Sequence, residues 1–201
     1  VGWLGSFDMH YSSTPDGLGW WHCLTVPRVV TRDEETGLLR QNPVPELRQL
    51  RGRQQVLRRN EPIRIEGRHA DISLEHISSE VGTLTIDDSF QISYVQGRLA
   101  INYLDKESAA GRADRFIRLQ RLTSLRVLVD GSVVEVYANG GADVFSSRWF
   151  PTEKPDLTVE TTLEAERSFA YPMRDTMAEM YATAVAPDLT MPGWNAKPAE
   201  E

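Results

Sequence analysis

The residues best suited by type to acid–base chemistry are Asp130 and Glu135, two carboxylates five positions apart. Glycoside hydrolysis uses such a pair about 5 to 9 Å apart, one as acid and the other as nucleophile or base. Asp130, however, opens a tight turn, where its carboxylate is better used on the local backbone, so a structural role is expected. His10, His22 and Cys23 come nearest to a metal set. The interval from 10 to 22 is not a ligand spacing, and neighbouring strand residues face opposite ways, so neither a metal nor any other cofactor is expected. Ser146-Ser147-Arg148 has no histidine base near it in sequence, and no nucleophile elbow, phosphate loop or dinucleotide fingerprint occurs. Asn139-Gly140-Gly141 reads as a turn before it reads as a ligand loop. Trp3, Trp20 and Trp21 could stack on sugar faces, but composition alone favours core burial for them.

The elements that must position these residues are short and β-rich. Trp3 to Phe7 is one candidate strand, Trp20 to Val30 a second, and Thr36-Gly37-Leu38-Leu39-Arg40 the turn and start of a third. Three strands cannot bury both faces of a small sheet, so they fit part of a propeller blade or a sandwich edge. Eight arginines between Arg40 and Arg68 face three acids and suggest a solvated connector or inter-domain contact, with a helical turn at 46–51. From about 62 to 170 apolar and polar residues alternate at period two, as in His69-Ala70-Asp71-Ile72-Ser73-Leu74-Glu75. The clearest hairpin joins Leu125–Val129 to Val133–Tyr137 through Asp130-Gly131, expected as a type I′ turn. An antiparallel β-sandwich follows. Met173, Met177, Met180, Tyr181 and Ala184 then recur at helical spacing behind Pro172, before a loose proline-containing tail.

Composition narrows the function classes. Of 201 residues 40% are hydrophobic and 25% charged, ordinary for a globular chain. A net charge of −7 argues against non-specific nucleic-acid binding. No apolar run reaches the ~20 residues of a membrane span, and no signal segment opens the chain. The single cysteine, Cys23, excludes an internal disulfide framework and fits a reducing, cytoplasmic setting. The chain starts at Val1 inside a strand-like run, as expected of a piece of something longer.

Two stretches resemble a known family. Gly2-Trp3-Leu4-Gly5-Ser6-Phe7, Thr14-Pro15, Leu24-Thr25-Val26-Pro27-Arg28 and Gln41-Asn42-Pro43-Val44-Pro45-Glu46-Leu47 resemble the last propeller blade of glycoside hydrolase family 32. Leu125 to Gly141, ending Ser147-Arg148-Trp149-Phe150-Pro151, is similar to the signature hairpin of that family's C-terminal sandwich. There are departures: Phe7 stands where a Trp is usual, Val29-Val30 replaces Glu-Leu, and Asn102-Tyr103 replaces an Asp-Arg pair.

The resemblance implies a β-fructofuranosidase whose five-bladed propeller carries a nucleophilic Asp, an acid/base Glu and a transition-state-stabilising Asp. Their motifs do not occur in this chain, so no catalytic residue is assigned and the chain alone is expected to be inactive. Of the sugar-side residues only the Trp of the G-W strand maps here, onto Trp3. The implied partners are the propeller and, through it, sucrose or a related fructoside, with neither nucleic acid nor membrane; a homo-oligomer stays open. The expected division is a blade remnant and linker at 1–50, a sandwich at 51–170 and a helical tail at 171–201. The competing reading is an independent carbohydrate-binding or oligomerisation module. Charge is uneven as well: 40–68 is strongly basic and 153–201 strongly acidic, so the two could face each other or the propeller.

Overall fold

The computed structural model describes residues 1–4, 22–151 and 154–175. Two short antiparallel ladders come first, β1 (Trp3–Leu4) with β2 (Cys23–Leu24) and β3 (Arg28–Arg32) with β4 (Leu39–Pro43). A 3₁₀ helix at Pro45–Leu50 follows, with proline in its first turn where no backbone donor is needed. The remaining strands are β5 (Gln55–Val56), β6 (Ile63–Ile65), β7 (His69–Ile77), β8 (Val81–Ile86), β9 (Phe90–Val95) and β10 (Arg98–Tyr103). After a single helical turn, α1 (Lys106–Ala109), come β11 (Arg115–Arg118), β12 (Ser124–Asp130), β13 (Val133–Ala138), β14 (Asp143–Arg148), β15 (Leu157–Thr161) and β16 (Ala165–Pro172).

These twelve strands form two six-stranded antiparallel sheets, ordered β11-β10-β9-β8-β15-β6 and β14-β13-β12-β7-β16-β5. The expected sandwich is present, and period-two alternation builds it. Leu84 and Ile86 lie opposite Ile92 and Phe90 in the first sheet. Leu125, Val127 and Val129 lie opposite Leu74, Ile72 and Ala70 in the second. All belong to one buried core, so a one-residue slip in any strand would turn its apolar set outward. Trp149 is fully buried, with its ring 5.7 Å from Phe90 and its indole N–H donating to Ser89 Oγ at 3.1 Å.

Four local expectations change. The expected strand from Trp20 to Val30 is two strands on its described part, because Thr25-Val26-Pro27 leaves the ladder. Pro27 has no N–H to give, and Val26 N–H is committed to a side chain across the molecule. The hairpin loop is Gly131-Ser132, not Asp130-Gly131: Asp130 pairs with Val133, and Gly131 alone has positive φ (54°), the pattern of a type II′ turn. The basic stretch is not simply a solvated connector, since β5 and β6 complete the edges of the two sheets. Arg59 pairs with Glu164 and Arg64 with Asp156, so the basic and acidic regions do face each other. Pro172, expected to start a helix, ends β16 opposite Ala70, and Met173 bridges to Arg51. Met177, Met180, Tyr181 and Ala184 lie outside the described residues.

Candidate functional site

The outer face of the second sheet should face water, yet its polar side chains are buried. Register puts Asp71 of β7, Leu128 of β12, Glu135 of β13 and Ser146 of β14 in one row across it, with Arg126 and Tyr137 beside them. The N-terminal segment 22–51 covers this row, and charged groups hold it there.

Glu135 is the centre of that attachment. Its carboxylate is 1% exposed and accepts from Val26 N–H (2.7 Å), from the Arg28 guanidinium (Nε at 3.1 Å) and from Tyr137 O–H (2.7 Å). Arg28 also donates to Ser146 Oγ (2.5 Å) and to Gln41 Oε1 (3.1 Å), linking β3, β4, β13 and β14 through one side chain. Burial by itself would lower the Arg28 pKa; the Glu135 carboxylate and then Tyr137 outweigh it, and the net shift is upward. Burial pushes the Tyr137 phenol well up, and Glu135 pushes it further. Both shifts favour a protonated phenol and a charged guanidinium around one carboxylate.

A second carboxylate repeats the device. Asp71 is fully buried between two guanidiniums: Arg51 reaches it with Nε at 2.8 Å, and Arg126 with Nε at 3.0 Å and Nη2 at 2.8 Å. Arg51 follows the 3₁₀ helix, so this pair pins the end of the N-terminal segment as Glu135 pins its middle. Between them the backbone docks directly. Asn139, Gly140 and Gly141 are all left-handed (φ 50°, 66° and 82°), which exposes three carbonyls in succession. Arg40 Nη1 donates to Asn139 O (2.7 Å), Asn42 Nδ2 to Gly140 O (2.8 Å) and Gln41 N–H to Gly141 O (2.9 Å). A Cβ at Gly141 would stand 2.0 Å from Gln41 O, so only glycine admits this approach. The Asn-Gly-Gly turn is therefore a docking turn for β4.

The residues singled out for chemistry are dispersed by the fold. Asp130 and Glu135 share the outer face, but each is engaged separately, Asp130 by His69 Nδ1 at 2.8 Å and Glu135 by Arg28. The expected bond from Asp130 to its own turn is replaced by this cross-strand contact, because the register sets His69 directly opposite. The Asp130 hydrogen bond raises the His69 pKa against the effect of burial. Cys23 is half-buried with Sγ 3.9 Å from Leu4 O. Burial raises its pKa while Arg148 acts the other way, and the net shift is upward, away from the thiolate that nucleophilic or metal chemistry needs. His10 is outside the described residues, and among those described no three His, Cys, Asp or Glu converge as a metal would require. Trp3, which composition assigned to the core, is 69% exposed on β1 with its ring 6.0 Å from His22. Trp20 and Trp21 are outside the described residues.

Sequence reasoning did not find the Glu135–Arg28–Tyr137 attachment. The signal was there: a glutamate in the otherwise apolar run Val133-Val134-Glu135-Val136-Tyr137 needs a buried cation.

Residues 87–170, the heart of the sandwich, match the family described as glycosyl hydrolases family 32 C terminal. Over these residues the chain is similar to the family 32 C-terminal domain. The chain is 27% identical over 190 residues to a sucrose-6-phosphate hydrolase of Staphylococcus xylosus, covering 84% of this chain and 37% of that protein. It is 29% identical over 160 residues to a sucrose-6-phosphate hydrolase of Bacillus subtilis (strain 168), covering 74% of this chain and 33% of that protein. The chain thus spans about a third of the length of the curated relatives it matches. The fold is shared with the sucrose-6-phosphate hydrolase of Lactobacillus gasseri, at a TM-score of 0.66 and 21% identity over 77% of this chain and 34% of that one. A family 32 enzyme of Bifidobacterium adolescentis gives a TM-score of 0.67 at 17% identity over 86% of this chain and 28% of that one. The matched residues 87–170 include Leu128, Glu135 and Ser146 of the attachment row.

Proposed function

We propose that this chain is the C-terminal, non-catalytic part of a β-fructosidase, and that its work is to hold the end of a catalytic propeller against an accessory sandwich. The observation that carries this reading is the buried Glu135–Arg28–Tyr137 attachment, because Arg28 belongs to the stretch that resembles the last propeller blade. In this reading residues 1–50 are the blade remnant and linker, 51–170 the sandwich and 171–201 the tail. The parent enzyme hydrolyses sucrose or a related β-fructoside with retention, using two carboxylates supplied by earlier blades. The names of the relatives, sucrose-6-phosphate hydrolases, support this substrate class. Trp3 is then a sugar-side residue, its exposed ring offering a stacking face to a fructosyl unit.

The test is direct. Purified as the 201-residue chain, the protein should release no fructose from sucrose or sucrose 6-phosphate, and measurable turnover would refute the assignment. The reading frame upstream of Val1 should encode the family's Asp and Glu motifs. Calorimetric titration with sucrose and fructo-oligosaccharides should give no saturable signal; a saturable one would favour a self-sufficient carbohydrate-binding module instead.

A further inference from the structure

Three arginines gather where the edges of the two sheets meet. Arg112 lies in the loop after α1, Arg115 opens β11 and Arg148 ends β14. The Phe150 ring is a shared platform, with Cζ of Arg112 5.3 Å and Cζ of Arg148 4.8 Å from its centroid. Arg115 reaches the same strand end, donating to the Ser146 carbonyl at 3.3 Å. The Tyr103 hydroxyl lies alongside, 2.5 Å from Ser147 Oγ.

Arg112 and Arg115 are bonded differently from most of the arginines tied to the fold. Arg28, Arg51, Arg59, Arg64, Arg68, Arg126 and Arg167 each meet a carboxylate. Arg112 instead donates only to the carbonyls of Ala109 and Ala110, at 3.3 and 3.4 Å, and Arg115 only to a carbonyl. Among the described residues neither has a carboxylate within ion-pairing distance. Nearby acids are otherwise engaged: Asp105 caps α1, and Asp114 accepts from Tyr103 N–H. Glu107 lies exposed on α1. Burial lowers the Arg112 pKa, and the charges of Arg148 and Arg115 lower it further. A half-desolvated concentration of positive charge persists in a chain whose net charge is −7, and that combination attracts an anion. Guanidinium forks on a rigid aromatic support suit the oxygens of a phosphate, which accept two parallel N–H bonds.

We propose that Arg112 and Arg115 form a binding site for a phosphate monoester or free phosphate, with the buried Arg148, whose Nε and Nη2 donate to Ser132 Oγ, adding positive charge beside Phe150. The site lies outside the Glu135 attachment and does not depend on the fructosidase reading.

Isothermal titration of the 201-residue chain with inorganic phosphate and with fructose 6-phosphate should give saturable binding that weakens as salt rises. Fructose should give none. Arg112→Gln and Arg115→Gln should each weaken binding about tenfold or more, the worth of a charge-assisted hydrogen bond. Arg118→Gln, an exposed arginine on the same strand, should leave it unchanged. Phosphate should also raise the Tm of the parent chain and not that of Arg112→Gln, which separates lost binding from lost folding. Tighter binding of fructose 6-phosphate than of phosphate assigns the site to a sugar phosphate; equal affinities assign it to free phosphate. Absence of saturable binding by both probes, unchanged binding in Arg112→Gln and Arg115→Gln, or an equal loss in Arg118→Gln overturns the proposal.

Discussion

Removing the Glu135 carboxylate is the sharpest perturbation of the attachment. Glu135→Ala leaves three donors without their acceptor: the Arg28 guanidinium, Tyr137 O–H and Val26 N–H. The guanidinium matters most, because Arg28 is itself largely buried, with 12% of its side chain exposed. Breaking a buried ion pair from one side costs about 3–5 kcal/mol, and an unsatisfied buried donor about 1–3 more. Arg28 also keeps Gln41 and Ser146, and water can enter the vacated space, so the lower end, about 3–4 kcal/mol, is the expected loss. For a chain of this size that corresponds to roughly 6–16 °C in Tm. Urea unfolding measures the total, and hydrogen exchange shows where it falls. The N–H groups of Gln41 and Val44, bonded to Gly141 O and Pro27 O, should lose protection first. Those of Ile92 and Leu84 in the core should keep theirs at low denaturant. Glu135→Gln retains the shape and removes the charge, and should lose about half as much. A loss below about 1 kcal/mol for Glu135→Ala, or an equal loss of protection throughout the sandwich, would refute the claim that Glu135 holds the N-terminal segment in place.

Three further outcomes follow from the geometry. Gly141→Ala would push a Cβ onto Gln41 O at a positive φ and should separate β4 from the sandwich, costing about 3 kcal/mol or more; Gly131→Ala, with nothing within 4 Å, should cost about 1 kcal/mol by the same urea assay. The folded-state pKa of His69 lies above its unfolded value near 6.5, so its contribution is complete below that pH and is lost as pH rises through the folded pKa. Asp130→Asn should flatten that part of the stability–pH curve, by no more than about 1 kcal/mol because Asp130 is largely exposed, and NMR titration of His69 should show its pKa falling. Trp149→Ala should cost about 3–5 kcal/mol in calorimetric unfolding, as expected for a fully buried indole that also loses its bond to Ser89.

Much of the sandwich was legible in the sequence because a strand reports its own burial locally. The alternations at His69–Glu75 and Leu125–Val129 need no knowledge of partners, and both run as strands in the structure. The Gly131 turn shows the limit of that reasoning. Asp-Gly alone points to a type I′ loop, but the pairing of β12 with both β7 and β13 carries Asp130 into the ladder and moves the loop one residue on. The tryptophans show another limit. Residue type gives Trp3 and Trp149 the same apolar surface, yet Trp3 lies largely exposed on a two-residue strand and Trp149 is enclosed by Phe90 and the inner faces of both sheets.

The Glu135–Arg28 contact was the least legible part, since its partners are 107 positions apart. Glu135 and Arg28 are each ordinary charged residues until β13 and β3 are brought together. By itself the sequence determined an antiparallel β-sandwich and the turn chemistry of its docking loop, because periodicity and glycine placement are properties of neighbouring residues. Only the tertiary structure decided what the buried charges do. A carboxylate in a strand can be acid, nucleophile or anchor, and its role is set by which cation the fold places against it and by how little water is left around the pair.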